Sequence, residues 1–255
     1  MNSTDLLDRL RRVHGDAVMH GWDFAVLDGR VDSGNPPWDF DADCLAALRM
    51  AGRALDLGTG GGERVLRLLS DLGGASPPHL AATEGWAPNV PVARRNLAAA
   101  RVEVARYSAE GGDALPFADA SFDLVMSRHE MVDAAEAARV LAPGGMLLAQ
   151  QVDGRDVQEL RDRFGGGQAY PSARLELDRE SAEQAGLQID VAQEWAGPME
   201  IIDTEALVTY LALVPWSAPG FQVDDHAGAL MRLEDQGRLR VTQRRYRLYA
   251  HKHKD

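Results

Sequence analysis

From Ala54 onward, short apolar runs alternate with stretches whose apolar residues recur at helical spacing, the pattern of strand–helix repeats around a parallel sheet. The predicted strands are Ala54–Leu57, Leu80–Thr83, Val102–Tyr107, Phe122–Ser127 and Met146–Val152. Between the first two, Val65, Leu66, Leu68, Leu69 and Leu72 fall on one helical face, Arg64, Arg67 and Asp71 fall opposite, and Gly73-Gly74 supplies a stop. Further helices are predicted from near Pro88 or Pro91 to Ala100, over Ala134–Leu141 ahead of the Pro143-Gly144-Gly145 turn, and over Asp156–Phe164 ahead of Gly165-Gly166-Gly167. Then the period changes: Leu187–Trp195 and Leu239–Ala250 alternate like strands, while Thr204–Leu213 and His226–Gln236 have helical spacing. The expected fold class is α/β, a doubly wound, mostly parallel seven-stranded sheet with helices on both faces. Residues 1–50 and roughly 203–236 stand outside it as insertions, suited to closing over the strand ends as lids. No repeat or linker divides the chain, so residues 1–255 read as one domain with a core at 51–155 and a C-terminal half at 156–255.

Composition narrows the function classes. With 45% apolar and 26% charged residues, the 255-residue chain can bury a core and is not of disordered type. Its 27 basic and 39 acidic side chains give a net charge of −12, which repels phosphate backbones and anionic membranes at long range. Cys44 is the sole cysteine, so internal disulfides and thiolate zinc clusters are excluded, and His14, His20, His79, His251 and His253 show no metal spacing. The segment before Phe24 is too charged for a secretory signal, and Pro215 and Pro219 interrupt the uncharged stretch from Ala206 to Val223. These features read as a cytoplasmic enzyme with no nucleic-acid or membrane partner; nothing in them specifies a subunit count.

The most informative segment is Ala54-Leu55-Asp56-Leu57-Gly58-Thr59-Gly60-Gly61-Gly62-Glu63, a strand running into a glycine turn that opens a helix. Glycines let backbone approach a ligand closely, and a helix N-terminus offers free N–H groups. A dinucleotide turn is the obvious reading, but the third glycine of that fingerprint is replaced by Glu63, and Asp56 precedes the first. Two carboxylates would repel a pyrophosphate and attract a cation. S-adenosylmethionine fits, with an ammonium, a sulfonium, a ribose diol and an adenine but no phosphate. No Gly-x-Ser-x-Gly elbow or Walker lysine is present.

Here the chain resembles the class I, Rossmann-like S-adenosylmethionine-dependent methyltransferases over roughly residues 50–155, and is most similar to the small-molecule branch called methyltransferase type 11. The resemblance rests on Leu55–Gly62, Leu80-Ala81-Ala82-Thr83-Glu84, Gly111-Gly112-Asp113-Ala114-Leu115-Pro116-Phe117, Ser121–Ser127 and Arg139–Gly145, in that order. It implies that Asp56 and the Gly58-Thr59-Gly60 backbone hold the methionine end of the cofactor. It further implies that Glu84 accepts from the ribose hydroxyls, and that Asp113, with the Ala114 N–H, meets the adenine. Trp86 is placed to cover the adenine, or else packs between helix and sheet. Asp123 is read as structural.

By the same resemblance the fourth core strand ends opposite the methyl group, at Ser127-Arg128-His129-Glu130. His129 is the candidate general base and Glu130 its orienting partner or an amine-binding group; the competing reading has His129 merely packing. Similar small methyltransferases carry Arg-His-Glu here and Gln-Gln-Val in strand five, matching Gln150-Gln151-Val152; neighbouring strand residues face opposite sides, so only one glutamine can face a substrate. Trp22, Phe24, Trp38, Phe40, Tyr210, Trp216 and Phe221 are candidate lid aromatics, of which Trp38, Gln150 and Trp216 are expected at the substrate, and His226 is a second possible base. The expected activity is methyl transfer to a small acceptor on oxygen, nitrogen or carbon, apolar or aromatic. Two alternatives stay open: modification of protein or RNA, and a non-catalytic S-adenosylmethionine-binding module.

Overall fold

The apolar runs around Leu55 and Val125 form strands buried on both faces, as a parallel sheet covered by helices requires. The computed structural model describes residues 3–19, 24–73 and 79–254; His20, Trp22 and Gly74 lie outside the described residues. In chain order the elements are α1 (Ser3–Asp16), β1 (Val31–Ser33), α2 (Phe40–Leu48), β2 (Arg53–Leu57), α3 (Glu63–Asp71), β3 (His79–Glu84), α4 (Val90–Leu97), β4 (Glu103–Arg106), β5 (Phe122–Arg128) and α5 (Ala134–Val140). There follow β6 (Leu141–Val152), α6 (Gln158–Phe164), α7 (Leu175–Gln184), β7 (Leu187–Ile201), α8 (Thr204–Leu213), α9 (Ala227–Gln236) and β8 (Leu239–Lys252).

These elements gather into two compact units. One comprises Pro37–Val152, Ala173–Glu194 and Tyr246–Asp255; the other comprises Met1–Pro36, Asp153–Ser172 and Trp195–Arg245. In the first, the strand order is β7-β8-β6-β5-β2-β3-β4, with β2 through β6 parallel. Side chains alternate between two cores. Leu55, Leu57, Val125 and Leu147 meet Ala137 of α5 and Ala182 of α7, whereas Ala54, Leu124, Met126 and Leu148 meet Cys44 of α2, Val65 of α3 and Ala93 of α4. The sheet is therefore doubly wound. Chain order reverses between β2 and β5, where an open α/β sheet leaves a crevice at its C-terminal strand ends.

The second unit has its own core, built by Leu6 and Leu10 of α1, Leu207 and Leu211 of α8, and Leu230 and Leu233 of α9. Asp203 caps α8 by accepting from Ala206 N at 2.7 Å and binds Arg30 at 2.5 Å. Here β1 pairs antiparallel with Met199–Ile201.

Several expectations change. Eight strands form among the described residues where seven were expected, because β1 is too short to show alternation. Pro143-Gly144-Gly145 lies inside β6 rather than in a turn before it. Neither α2 nor α7 was predicted: α2 buries Phe40, Cys44 and Leu48 one turn apart, and α7 is so polar that only Ala182 is buried. Phe40 belongs to the core, and Phe221, Tyr210 and Trp216 pack in or against the core of the second unit. His226 stacks on Phe221 at 5.4 Å with Phe164 edge-on at 5.3 Å, so its ring is a packing element.

Candidate functional site

The turn after β2 is built on backbone that only glycine adopts easily: Gly58, Gly60 and Gly62 have φ of 64°, 61° and 89°. It is tied to the end of β3. Thr59 N donates to Thr83 O at 2.8 Å, and Gly60 N donates to Glu84 Oε2 at 2.7 Å. Trp86 N donates to the other oxygen, Oε1, at 2.8 Å. Burial pushes the Glu84 carboxyl up while these N–H groups oppose the shift. Glu84 thus joins turn and strand, and each of its oxygens keeps a lone pair for a ligand hydroxyl.

Asp56 does not stand free beside the glycines. Arg64 Nη1 lies 3.2 Å from its Oδ1, and the same guanidinium reaches Asp41 Oδ1 at 2.7 Å and Cys44 Sγ at 3.1 Å. Burial pushes Asp56 up and Arg64 pulls against it. Arg64, expected on the solvent face of its helix, has a side chain only 13% exposed. Asp41, which lies far from it in sequence, arrives on α2 and makes the burial of Arg64 tolerable, which is why the strand–helix pattern did not reveal it.

With Asp56 paired, negative charge at the turn comes from Glu84, from the exposed Glu63, whose carboxylate lies against Gly61, and from Glu130. A Cβ on Gly58 would lie 2.5 Å from Glu130 Cβ and Cγ, so the glutamate rests on the bare backbone of the first glycine. Burial, then Glu84, then Glu110 push its carboxyl up to about 7; each charged group acting on it is negative. A buried tyrosine, Tyr107, borders the same group of acids.

Beside this lies a chain of three side chains singled out from sequence. Trp38 Nε1 donates to Gln150 Oε1 at 2.6 Å, and Gln150 Nε2 is 3.4 Å from His129 Nε2. An indole N–H can only donate, which sets the amide with its NH₂ toward the imidazole; His129 Nε2 must then carry a lone pair, with the proton on Nδ1. His129 is exposed and sits at φ 63°, held by its N–H to Gln150 O at 2.8 Å. Gln151 points the other way, donating to Glu130 O at 2.6 Å and Ser127 Oγ at 3.2 Å. Ser127 Oγ donates to Glu130 O at 2.7 Å, so this fully buried hydroxyl braces the turn.

On the far side of Glu84, Trp86 is 49% exposed, which excludes packing between helix and sheet. Asp113 and Ala114 are exposed on the loop after β4, where Asp113 Oδ2 accepts from Ser108 N at 3.3 Å. Arg139 fixes this loop by donating to Phe117 O at 2.8 Å and Leu115 O at 2.9 Å, a role invisible in the Arg139–Gly145 motif. Asp123 accepts from Gly52 N and Arg53 N at 3.1 and 2.8 Å, as a structural residue should. Trp216 belongs to the second unit and packs on its core.

Among the described residues no group of His, Cys, Asp or Glu is disposed to hold a metal, and no helix is long and apolar enough to cross a membrane. The groups present fit S-adenosylmethionine: a buried carboxylate beside the turn for a diol, an exposed indole for a base, and mutually repelling Glu84 and Glu130 that a cation would relieve. A pyrophosphate would deepen that repulsion.

Residues 55–149 match the family model described as a methyltransferase domain. Among solved structures, the YcgJ protein of Bacillus subtilis is 18% identical, with 85% of this chain and 99% of that one covered at a TM-score of 0.57. A provisionally assigned methyltransferase of Bacillus halodurans C-125 is 19% identical, with 84% and 99% covered and a TM-score of 0.56. The [4+2]-cyclase SpnF is 21% identical, with 98% and 94% covered and a TM-score of 0.51. At these identities the likeness establishes the fold; chemistry must be argued from the site.

Proposed function

We propose that the chain, whose residues 55–149 match the methyltransferase-domain family model, is a class I S-adenosylmethionine-dependent methyltransferase of the type 11 branch that methylates a small-molecule acceptor bound against Trp38, Gln150 and His129. The observation that carries this reading is the pair of uncompensated carboxylates, Glu84 and Glu130, over the Gly58–Gly60 turn, with the Trp38–Gln150–His129 chain at the adjoining strand ends.

Glu84 would hold the ribose hydroxyls, Trp86 and the Asp113–Ala114 loop the adenine, and the backbone from Gly58 to Gly60 the methionine end. Glu130 supplies negative charge where the donor is positive. When bound, S-adenosylmethionine supplies a methyl group already activated by its sulfonium. The chain's own task is then to align an acceptor, exclude water and remove a proton. His129 takes that proton at Nε2, the nitrogen its tautomer leaves unprotonated; the 3.4 Å contact to Gln150 is weak and yields easily. Asp56, neutralised by Arg64, shapes the turn without contributing net charge.

Calorimetric titration of the folded protein with S-adenosylmethionine and its demethylated product tests the cofactor half; absence of heat with both overturns it. Methyl labelling of a small-metabolite extract, compared with total RNA and total protein, tests the acceptor half. Label confined to a macromolecular fraction would overturn the small-molecule assignment.

A further inference from the structure

Arg128 is the last residue of β5 and is paired in register with Gln150 of β6, so the two side chains leave the same face of the sheet. On that face Gln150 meets Trp38, and Arg128 Nη1 lies 3.9 Å from Asp41 Oδ2. That carboxylate is already occupied: Arg64 Nε donates to Oδ1 at 2.7 Å and Arg67 Nη2 to Oδ2 at 2.8 Å. At 3.9 Å Arg128 makes no hydrogen bond to it, and its side chain is 40% exposed. Three guanidinium groups thus share Asp41 and Asp56, leaving one positive charge uncompensated, because burial keeps the nearby Cys44 thiol protonated with its pKa at about 12. Burial and the neighbouring Arg64 and Arg67 lower the pKa of Arg128 against the pull of Asp41, as an undercompensated cation should show.

The site is therefore polarised. Carboxylates gather at Gly58, and a spare guanidinium stands at Gln150, next to the indole and imidazole assigned above to the acceptor. Resting on that acceptor assignment, we propose that the methyl acceptor is an anion, a small apolar or aromatic carboxylic acid whose carboxylate docks on Arg128. A planar guanidinium fork matches planar carboxylate oxygens, and one spare positive charge matches a monoanion better than a phosphate dianion. In a chain of net charge −12, such local compensation is what lets an anionic acceptor approach.

The test uses three aromatic probes, benzoate, phenyl phosphate and neutral benzamide, titrated into full-length protein with and without S-adenosylhomocysteine and followed by ligand-observed NMR. Benzoate should bind at millimolar concentration, more tightly than benzamide. It should lose at least tenfold in affinity in Arg128→Met, and Arg128→Lys should recover part of the loss. Both variants should keep the wild-type thermal midpoint and the wild-type affinity for S-adenosylhomocysteine. Failure of benzoate to bind, equal binding of benzoate and benzamide, or undiminished benzoate binding in Arg128→Met would overturn the proposal. Preference for phenyl phosphate would overturn it in favour of a phosphorylated acceptor. Absence of S-adenosylhomocysteine binding would instead strike the methyltransferase reading, which the cofactor-free titration leaves separable.

Discussion

Arg64 Nη1 stands 3.2 Å from Asp56 Oδ1, with the two side chains 13% and 4% exposed, so the acid of the first motif is half of a buried ion pair. The pair ties β2 to α2 through Asp41 and keeps the strand end rigid beneath the glycine turn.

Removing one partner of such a pair strands the other charge, at a cost of about 3–5 kcal/mol. Arg64→Met should lower the urea unfolding free energy by that amount, and adding Asp56→Asn should restore part of it. If Arg64→Met leaves the urea midpoint unchanged, the pair does not hold the turn in solution.

Glu84→Ala removes the acceptor for both Gly60 N and Trp86 N. Charge-assisted hydrogen bonds are each worth about 1.5–3 kcal/mol, so S-adenosylhomocysteine affinity should fall at least tenfold by calorimetry. Asp56→Asn should cost less affinity than Glu84→Ala; the reverse order would restore Asp56 to direct contact with the cofactor.

Glu130 carries a pH signature. Its carboxyl is pushed up to about 7 from 4.5, so the folded protein binds more protons than the unfolded chain between those values. Stability from this group is fully present below pH 4.5 and is lost as pH rises through 7. Glu130→Gln should therefore be more stable than the parent at pH 8, by about 1–3 kcal/mol after allowance for partial solvent screening, and the gain should vanish near pH 4. In the parent, affinity for S-adenosylmethionine should rise with pH up to about 7 and then level off, a slope that Glu130→Gln abolishes. A pH-independent stability difference would refute this placement of the charge.

At φ 63° His129 occupies backbone that asparagine tolerates, so His129→Asn is the proper probe of base catalysis. It should preserve cofactor affinity and lower kcat by about 10²–10⁴-fold. Equal losses in affinity and kcat would make His129 a binding residue.

Gly58→Ala meets both a positive φ and the Glu130 side chain 2.5 Å away. The variant should be destabilised by about 1–3 kcal/mol, and Glu130→Gly in the same chain, which removes the clashing Cβ as well as Cγ, should relieve only the steric share. Full rescue by Glu130→Gly would show that the backbone conformation costs nothing.

Local pattern was sufficient for the strands from β2 to β5 and the second half of β6, for α3 and α8, and for the glycine turn, because burial on both faces of a parallel sheet writes continuous apolar runs and positive φ writes glycine. The family resemblance brought Glu84, His129 and Gln150 forward near strand ends, and Trp38 stood out as an aromatic residue in an aromatic-poor chain. Which acid at the turn carries the free charge was not legible. That depended on α2 bringing Asp41 to Arg64, and on the turn after β5 laying Glu130 on Gly58. A side chain's net charge and protonation are properties of its neighbours in space, and only the packed chain brings residues 41, 56, 64, 128 and 130 into the same electrostatic field.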